Sequence, residues 1–200
     1  MMENPTYTAN LQLFYKGVAC ENEKPISTFS GASPCVAIQG HTIAEIFEEP
    51  MVGVHCAMDT LRQLQEDAGP LHCLNHSAIP MNMAVAQSGL WNSRVLIPGK
   101  DLPATSVWQI KEQCLVGPEA YDQILSMGYN RFIEENIVPR VIDPAYREKY
   151  TRYLMEHMGE TMAMYYELGI PVVMAGGAST TVPFEQLCGM RSMSQFYMDY

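Results

Sequence analysis

The chain has 200 residues, 48% of them hydrophobic and 17% charged, and a formal net charge of −10. That is enough chain for one sizeable core, with no compositional sign of disorder. Binding a polyanion requires a basic face that releases counterions from phosphates, so the charge argues against nucleic acid and anionic membrane as partners. No window approaches the roughly 18 uninterrupted apolar residues that suggest a membrane span. The first residues, MMENPTYTANLQLFYKG, lack the basic, apolar and small-residue series of a secretion signal, so a cytoplasmic protein is expected. Six cysteines (Cys20, Cys35, Cys56, Cys73, Cys114 and Cys188) form no CxxC pair. In a reducing compartment they read as core or inert thiols, and no disulfide is expected.

In chain order, a helix is expected around Leu11 to Val18, followed by a loop at FSGASPC. Thr42-Ile43-Ala44-Glu45 has capping-box spacing, in which threonine and glutamate satisfy free N–H groups reciprocally, and Pro50 should end or kink the helix begun there. A second helix spans about Val52 to Asp67, with Val54, Met58, Leu61 and Leu64 on its apolar face and Gly69 placed for a left-handed cap. Leu71 to Leu74 reads as a buried strand. Ser93 to Ile97 and Ser106 to Val116 read as an irregular hairpin around the turn formers Pro98-Gly99-Lys100-Asp101. A third helix opens at Pro118 and Glu119 and sets Tyr121, Ile124, Leu125, Phe132 and Ile133 mostly on one face. The fourth has Asp143 as N-cap, Pro144 at the first position, apolar residues from Tyr146 to Tyr165, and Gly169 to close it. Ile170 to Ala175 is then a buried strand. Helix, glycine, strand, glycine-rich turn and new helix make an α/β repeat, the unit of a parallel sheet or barrel. No linker or internal repeat divides the chain, so a single domain over 1–200 is expected, with helices and loop to about residue 70 and strand-helix units from 71. The last helical pattern, from near Pro183, reaches Tyr200 without a cap, glycine or proline, as if the chain continued.

The segment from Val173 to Glu185 offers the most chemistry. Paired glycines, Gly176 and Gly177, allow close backbone approach, and Ser179 and Thr180 stand at a helix start whose free N–H groups attract anions. A substrate carboxylate fits there, at the end of a strand where barrel enzymes keep their chemistry; the plainer reading is a tight turn with Thr180 or Thr181 as an N-cap. His72, Cys73 and His76 put three metal-ligand types within five residues, although the two histidines share a face only in a helix and the segment reads as strand and loop. Glu185 and His76 are the candidate acid/base groups, with Asp199 as a further carboxylate. Glu48-Glu49 and Glu134-Glu135 read as solvated faces, and Met155, Met158, Met162 and Met164 as adaptable core packing rather than a cofactor surface.

The stretches SRVLIPGKDLPATSVWQIKEQ, GPEAYDQILSMGYNRF and GGASTTVPFEQLCGMRSMSQFYMDY, in that order and spacing, resemble the uroporphyrinogen decarboxylase superfamily, in particular its corrinoid-linked methyltransferases, from about Phe29 onward. The resemblance implies a (β/α)8 TIM barrel, here incomplete, with N-terminal helices and a β-hairpin insertion, often homodimeric, its site at the strand C-termini. A barrel takes about 250 residues, so the chain is expected to be the N-terminal part, inactive by itself and in need of the remaining barrel or a complementary chain. The decarboxylases of the superfamily act on a tetrapyrrole without cofactor; the methyltransferases use zinc to activate a thiol that takes methyl from a corrinoid protein. The arginine signature MRQAGRY of the decarboxylases has no counterpart here, and Glu185 stands where their later motif carries tyrosine. The methyltransferase H-x-C zinc motif is also absent and is expected beyond Tyr200, so no cofactor is expected on this chain alone. The resemblance therefore implies part of a cobalamin-dependent methyltransferase, with a tetrapyrrole decarboxylase and a non-catalytic remnant as the alternatives.

Overall fold

The computed structural model describes residues 3–23, 25–75, 92–173 and 181–199. Its elements begin with α1 (Pro5–Val18), β1 (Thr28–Phe29), α2 (Ser33–Ile38), α3 (Ile43–Glu48), α4 (Pro50–Ala68) and β2 (Cys73–Asn75). An antiparallel pair follows, β3 (Val95–Leu96) with β4 (Gln109–Ile110), then α5 (Ala120–Met127) and α6 (Tyr129–Phe132). A π-helical turn, Ile133–Ile137, leads into α7 (Val138–Val141) and α8 (Pro144–Glu167). Last come β5 (Val172–Val173), α9 (Thr181–Arg191) and α10 (Met193–Met198). The class is mixed α/β, mostly helical, with a small parallel sheet and, among the described residues, no closed barrel. No helix among them is long and apolar enough to cross a membrane. Two compact units result, one drawn from Met1–Asn82 and Thr151–Ala175, the other from Met83–Tyr150 and Gly176–Tyr200.

In the first unit the sheet runs β1-β2-β5, all parallel, pairing Thr28 with Cys73, Phe29 with Leu74, Leu74 with Val172 and Asn75 with Val173. Its core combines Val54, Met58 and Leu61 of α4, Leu74 of β2, Tyr153 and Tyr165 of α8, and Ile170. Truncating a fully buried leucine such as Leu61 to alanine costs about 2–5 kcal/mol in such a core. The buried Thr60 hydroxyl is satisfied locally, accepting from Gln39 Nε2 at 3.1 Å and donating to the Cys35 carbonyl at 3.5 Å. Helix α1 starts at Pro5, earlier than the apolar pattern suggests, because it buries no residue and is held by its ends. Asn4 caps it by accepting the Tyr7 N–H at 3.1 Å, while Asn4 Nδ2 donates to the Tyr166 carbonyl at 2.6 Å and Asn10 Nδ2 to that of Gly169 at 2.9 Å. Gly169 closes α8 at φ +77, and a Cβ there would lie 2.8 Å from Thr6 Cγ2, so only glycine permits both the turn and the approach of α1.

Several expectations are corrected here. FSGASPC is not one loop: Phe29 completes β1, and Ser33 and Pro34 open α2, where the missing proline N–H costs nothing. Thr42 caps α3, accepting the Glu45 N–H at 3.4 Å, and the Glu45 carboxylate reaches back to the Thr42 backbone as expected while also taking the Thr42 hydroxyl and the His41 ring. The helix begun at Thr42 does end before Pro50, at Glu48, but Pro50 also opens α4, and Glu49, expected merely to be solvated, caps it by accepting the Met51 N–H at 3.3 Å. Gly69 has positive φ, yet its ψ of −175 is extended and forms no left-handed helical cap. The α8 methionines divide: Met158 and Met164 pack on the core while Met155 is 83% exposed.

In the second unit the expected hairpin is present with two residues per strand, Val95 opposite Ile110 and Leu96 opposite Gln109. Its turn closes through Asp101, whose N–H donates to the Ile97 carbonyl at 2.8 Å and whose carboxylate accepts the Ile97 N–H at 3.0 Å. The core is Ala120, Phe132, Ile137, Val141 and Met190. Leu125, expected on the apolar face, is 85% exposed. The chain breaks at Gly128 between α5 and α6, so residues on either side belong to two helical registers and share no continuous face. Pro139 has no N–H and crowds the preceding turn; the π turn just before it, closed by the Val138 N–H on the Ile133 carbonyl, absorbs the mismatch. At the other end Ser192 interrupts the helix at φ +62 between α9 and α10. The buried Arg191 guanidinium forks onto Asp199 at 2.6 and 2.8 Å and donates to the Val116 carbonyl at 2.6 Å, while the Tyr121 hydroxyl donates to Asp199 at 2.7 Å. Arg191 first, then Tyr121, hold the Asp199 carboxyl below the ordinary carboxylate range. Asp199 is thereby a structural anchor.

Candidate functional site

Gly176, Gly177, Ser179, Thr180 and His76 lie outside the described residues. Their flanks are defined: β5 ends at Val173 and α9 begins at Thr181, so the glycine-rich segment follows a parallel strand and precedes a helix.

The expected metal ligands His72 and Cys73 have other work. His72 Nδ1 accepts the Ser27 N–H at 3.0 Å and lies 2.7 Å from the Ser27 hydroxyl, which donates to the Pro70 carbonyl at 2.8 Å. Cys73 is fully buried, with its sulfur 3.1 Å from the Thr28 hydroxyl. Both side chains thus fasten the entry of β2 to the chain at residues 27–28. Successive residues of an extended segment point to opposite faces, which is why the pair does not converge. Among the described residues no group of three or more His, Cys, Asp or Glu side chains is arranged to hold a metal ion.

Glu185 stands in a different setting. It lines a cleft of about 400 Å³ in the second unit, together with Ile110, Glu112, Phe184, Cys188 and Met193. Helix α9 presents Glu185 and Cys188 on one side because residues three apart are neighbours on a helix surface. The same helix is anchored by a polar cluster. Tyr129 donates to Gln186 Oε1 at 2.5 Å, Asn92 Nδ2 donates to the Tyr129 oxygen at 2.9 Å and to the Gln186 carbonyl at 3.3 Å, and the Ser93 hydroxyl donates to the Gly189 carbonyl at 2.6 Å. Burial raises the Tyr129 phenol, so it stays a neutral donor to Gln186. The hairpin supplies the opposite wall: the segment after β4 carries Glu112, whose carboxylate accepts the Met193 N–H at 3.1 Å.

Cys188 is buried, and desolvation, with the charges of Glu112 and Glu185 added, raises its thiol above the ordinary range. It therefore stays protonated at neutral pH and is a poor nucleophile. Glu185 is exposed and has no hydrogen bond or ion pair among the described residues, which leaves its carboxylate open to a bound molecule. Glu112, Phe184 and Cys188 were not singled out from sequence; only the hairpin pairing and the turn between α9 and α10 bring them together, and neither is a short-range signal. No family profile, curated protein or solved structure matches this chain.

Proposed function

We propose that the chain supplies the opening strand-helix units of a cytoplasmic (β/α)8 enzyme of the uroporphyrinogen decarboxylase type, in the branch that moves methyl groups between a corrinoid protein and a thiol. The observation that carries this reading is the setting of the segment on which the resemblance turns. In sequence it comes after β5 and before α9, whose Glu185 and Cys188 line a cleft within the second unit. Enzymes of barrel architecture keep their reacting groups at such strand-to-helix junctions. The parallel order β1-β2-β5, with the β3-β4 pair in a separate sheet, supports successive barrel strands with a hairpin inserted between them.

The residues assign some roles and exclude others. Glu185 is the group available to orient or take a proton from a bound substrate. In this reading the buried Cys188 is a packing thiol of the cleft wall and the methyl acceptor is an external thiol. Among the described residues the donors do not fit a zinc site, since His72 and Cys73 are turned to Ser27 and Thr28, and no step through zinc is assigned to them.

The test is an anaerobic incubation of the protein encoded by the complete gene with methylcobalamin and a free thiol. Cobalt–methyl absorbance and thioether mass are followed, and a parallel sample contains uroporphyrinogen. Thioether formation is the expected result. Carbon dioxide release from uroporphyrinogen without added cofactor would instead identify a decarboxylase, and no turnover in either sample would identify a non-catalytic protein.

A further inference from the structure

We infer that the cleft beside α9 binds a small organic cation with an apolar body, an alkylammonium compound, held between Glu112 and Glu185 against the ring of Phe184. Its volume of about 400 Å³ suits a small molecule. Most of the lining is apolar, from Ile110, Phe184, Cys188 and Met193, and among the described residues its charged side chains are the two glutamates. A neutral apolar ligand would strip water from both carboxylates without replacing it, and an anion would be repelled, whereas a cation with a hydrocarbon body satisfies wall and charge together. Both glutamates line this one cleft, beside Cys188. Glu112 is steadied by the Met193 N–H and Glu185 is unpaired among the described residues, so one carboxylate is fixed and the other is free to close on a ligand. Phe184 is 40% exposed and braced edge-to-face against Phe196 at 5.2 Å and 86°, a ring held in place for a cation–π contact. The net charge of −10 further concentrates cations around the protein.

The inference shares the location of the proposed active site but not its chemistry, and binding is measured without turnover, so either can fail alone. The experiment is calorimetric titration of the purified protein with choline and with 3,3-dimethylbutan-1-ol, the uncharged isostere in which carbon replaces nitrogen. Choline is expected to saturate one site, with the alcohol at least about tenfold weaker. Glu185→Gln should weaken choline about fivefold to tenfold and leave the alcohol unchanged. Phe184→Leu, which keeps the bulk, should weaken choline more than the alcohol. Raising salt from about 20 mM to about 200 mM should weaken choline alone. Circular dichroism confirms that each variant is folded. Equal affinity for cation and alcohol, choline binding unchanged in the Glu112→Gln, Glu185→Gln double variant, or no saturable choline binding would each overturn the inference.

Discussion

Tyr153 and Tyr165 lie on the same helix, α8, and in the same core, yet their hydroxyls are in opposite states. The Tyr153 oxygen is 3.2 Å from the Thr161 hydroxyl; the Tyr165 oxygen is buried with no hydrogen-bond partner among the described residues. Burial pushes the Tyr165 phenol far above its ordinary range, so the group is neutral throughout the working pH range and the balance is one of desolvation. An unmatched buried hydroxyl costs about 1–3 kcal/mol in proteins. Tyr165→Phe removes only that oxygen from a fully buried ring and leaves the packing intact. It should therefore stabilise the protein by about 1 kcal/mol, or raise Tm by about 2–4 °C in a chain of this size. Tyr153→Phe removes one partner of a pair, leaves the buried Thr161 hydroxyl with a weak 3.9 Å contact to Met51 Sδ, and should destabilise by about 1 kcal/mol. Urea denaturation of the two variants measures the contrast as opposite shifts of the midpoint at unchanged slope. A lower midpoint for Tyr165→Phe would refute the reasoning, because the hydroxyl would then have a partner whose loss outweighs the relief.

Three further outcomes are expected. Thr42→Ala should cost about 1 kcal/mol by leaving the Glu45 N–H without its cap, and Thr42→Ser should recover most of it in the same denaturation assay. Asp143 and Asp199 are held below the ordinary carboxylate range by Lys100 and Arg191 respectively, so the unfolded chain binds protons that the folded one resists. Their stabilisation is present above the unfolded carboxyl pKa of about 3.9 and lost as pH falls through the folded values, so urea midpoints should drop between about pH 6 and about pH 3, less steeply in Lys100→Gln. Alkylation of the native protein, read by peptide mass, should modify exposed Cys20 and Cys114 before buried Cys35, Cys56, Cys73 and Cys188; early labelling of Cys73 would contradict its burial.

The long helices were legible because their signals are local and redundant. Asp143 accepts the Ala145 N–H, Pro144 occupies the first position of α8, and Gly169 closes its end, each a short-range requirement written in one or two residues. Strands β2 and β5 were legible as apolar runs between turn formers, although β1, which pairs with β2, was not. Two residues, Thr28 and Phe29, are too few to show a period of two, and Phe29 sits beside serine and glycine that signal a loop. The first turns of α1 were missed for a related reason. A helix that buries nothing has no apolar stripe, and what holds α1 is a set of asparagine contacts to residues far along the chain.

The candidate site shows the same boundary between local and distant information. Glu185 was visible as a carboxylate beside a glycine-rich junction, but a glutamate on an amphipathic helix is ordinarily a solvated one, and exposure alone does not separate the two cases. What separates them is the wall it faces. The β3-β4 pairing returns Glu112 to the cleft and the break at Ser192 turns Met193 toward it, so that two like charges share one apolar recess with no lysine or arginine among the described residues that line it. Like charges gathered beside apolar surface are costly unless a counter-charge joins them, and elsewhere in the same unit the carboxylates of Asp101, Asp143 and Asp199 each have a basic partner, in Arg94, Lys100 and Arg191. The recess differs from those three, since neither Glu112 nor Glu185 has a basic partner among the described residues, and departures of this kind concentrate where a protein meets its ligand.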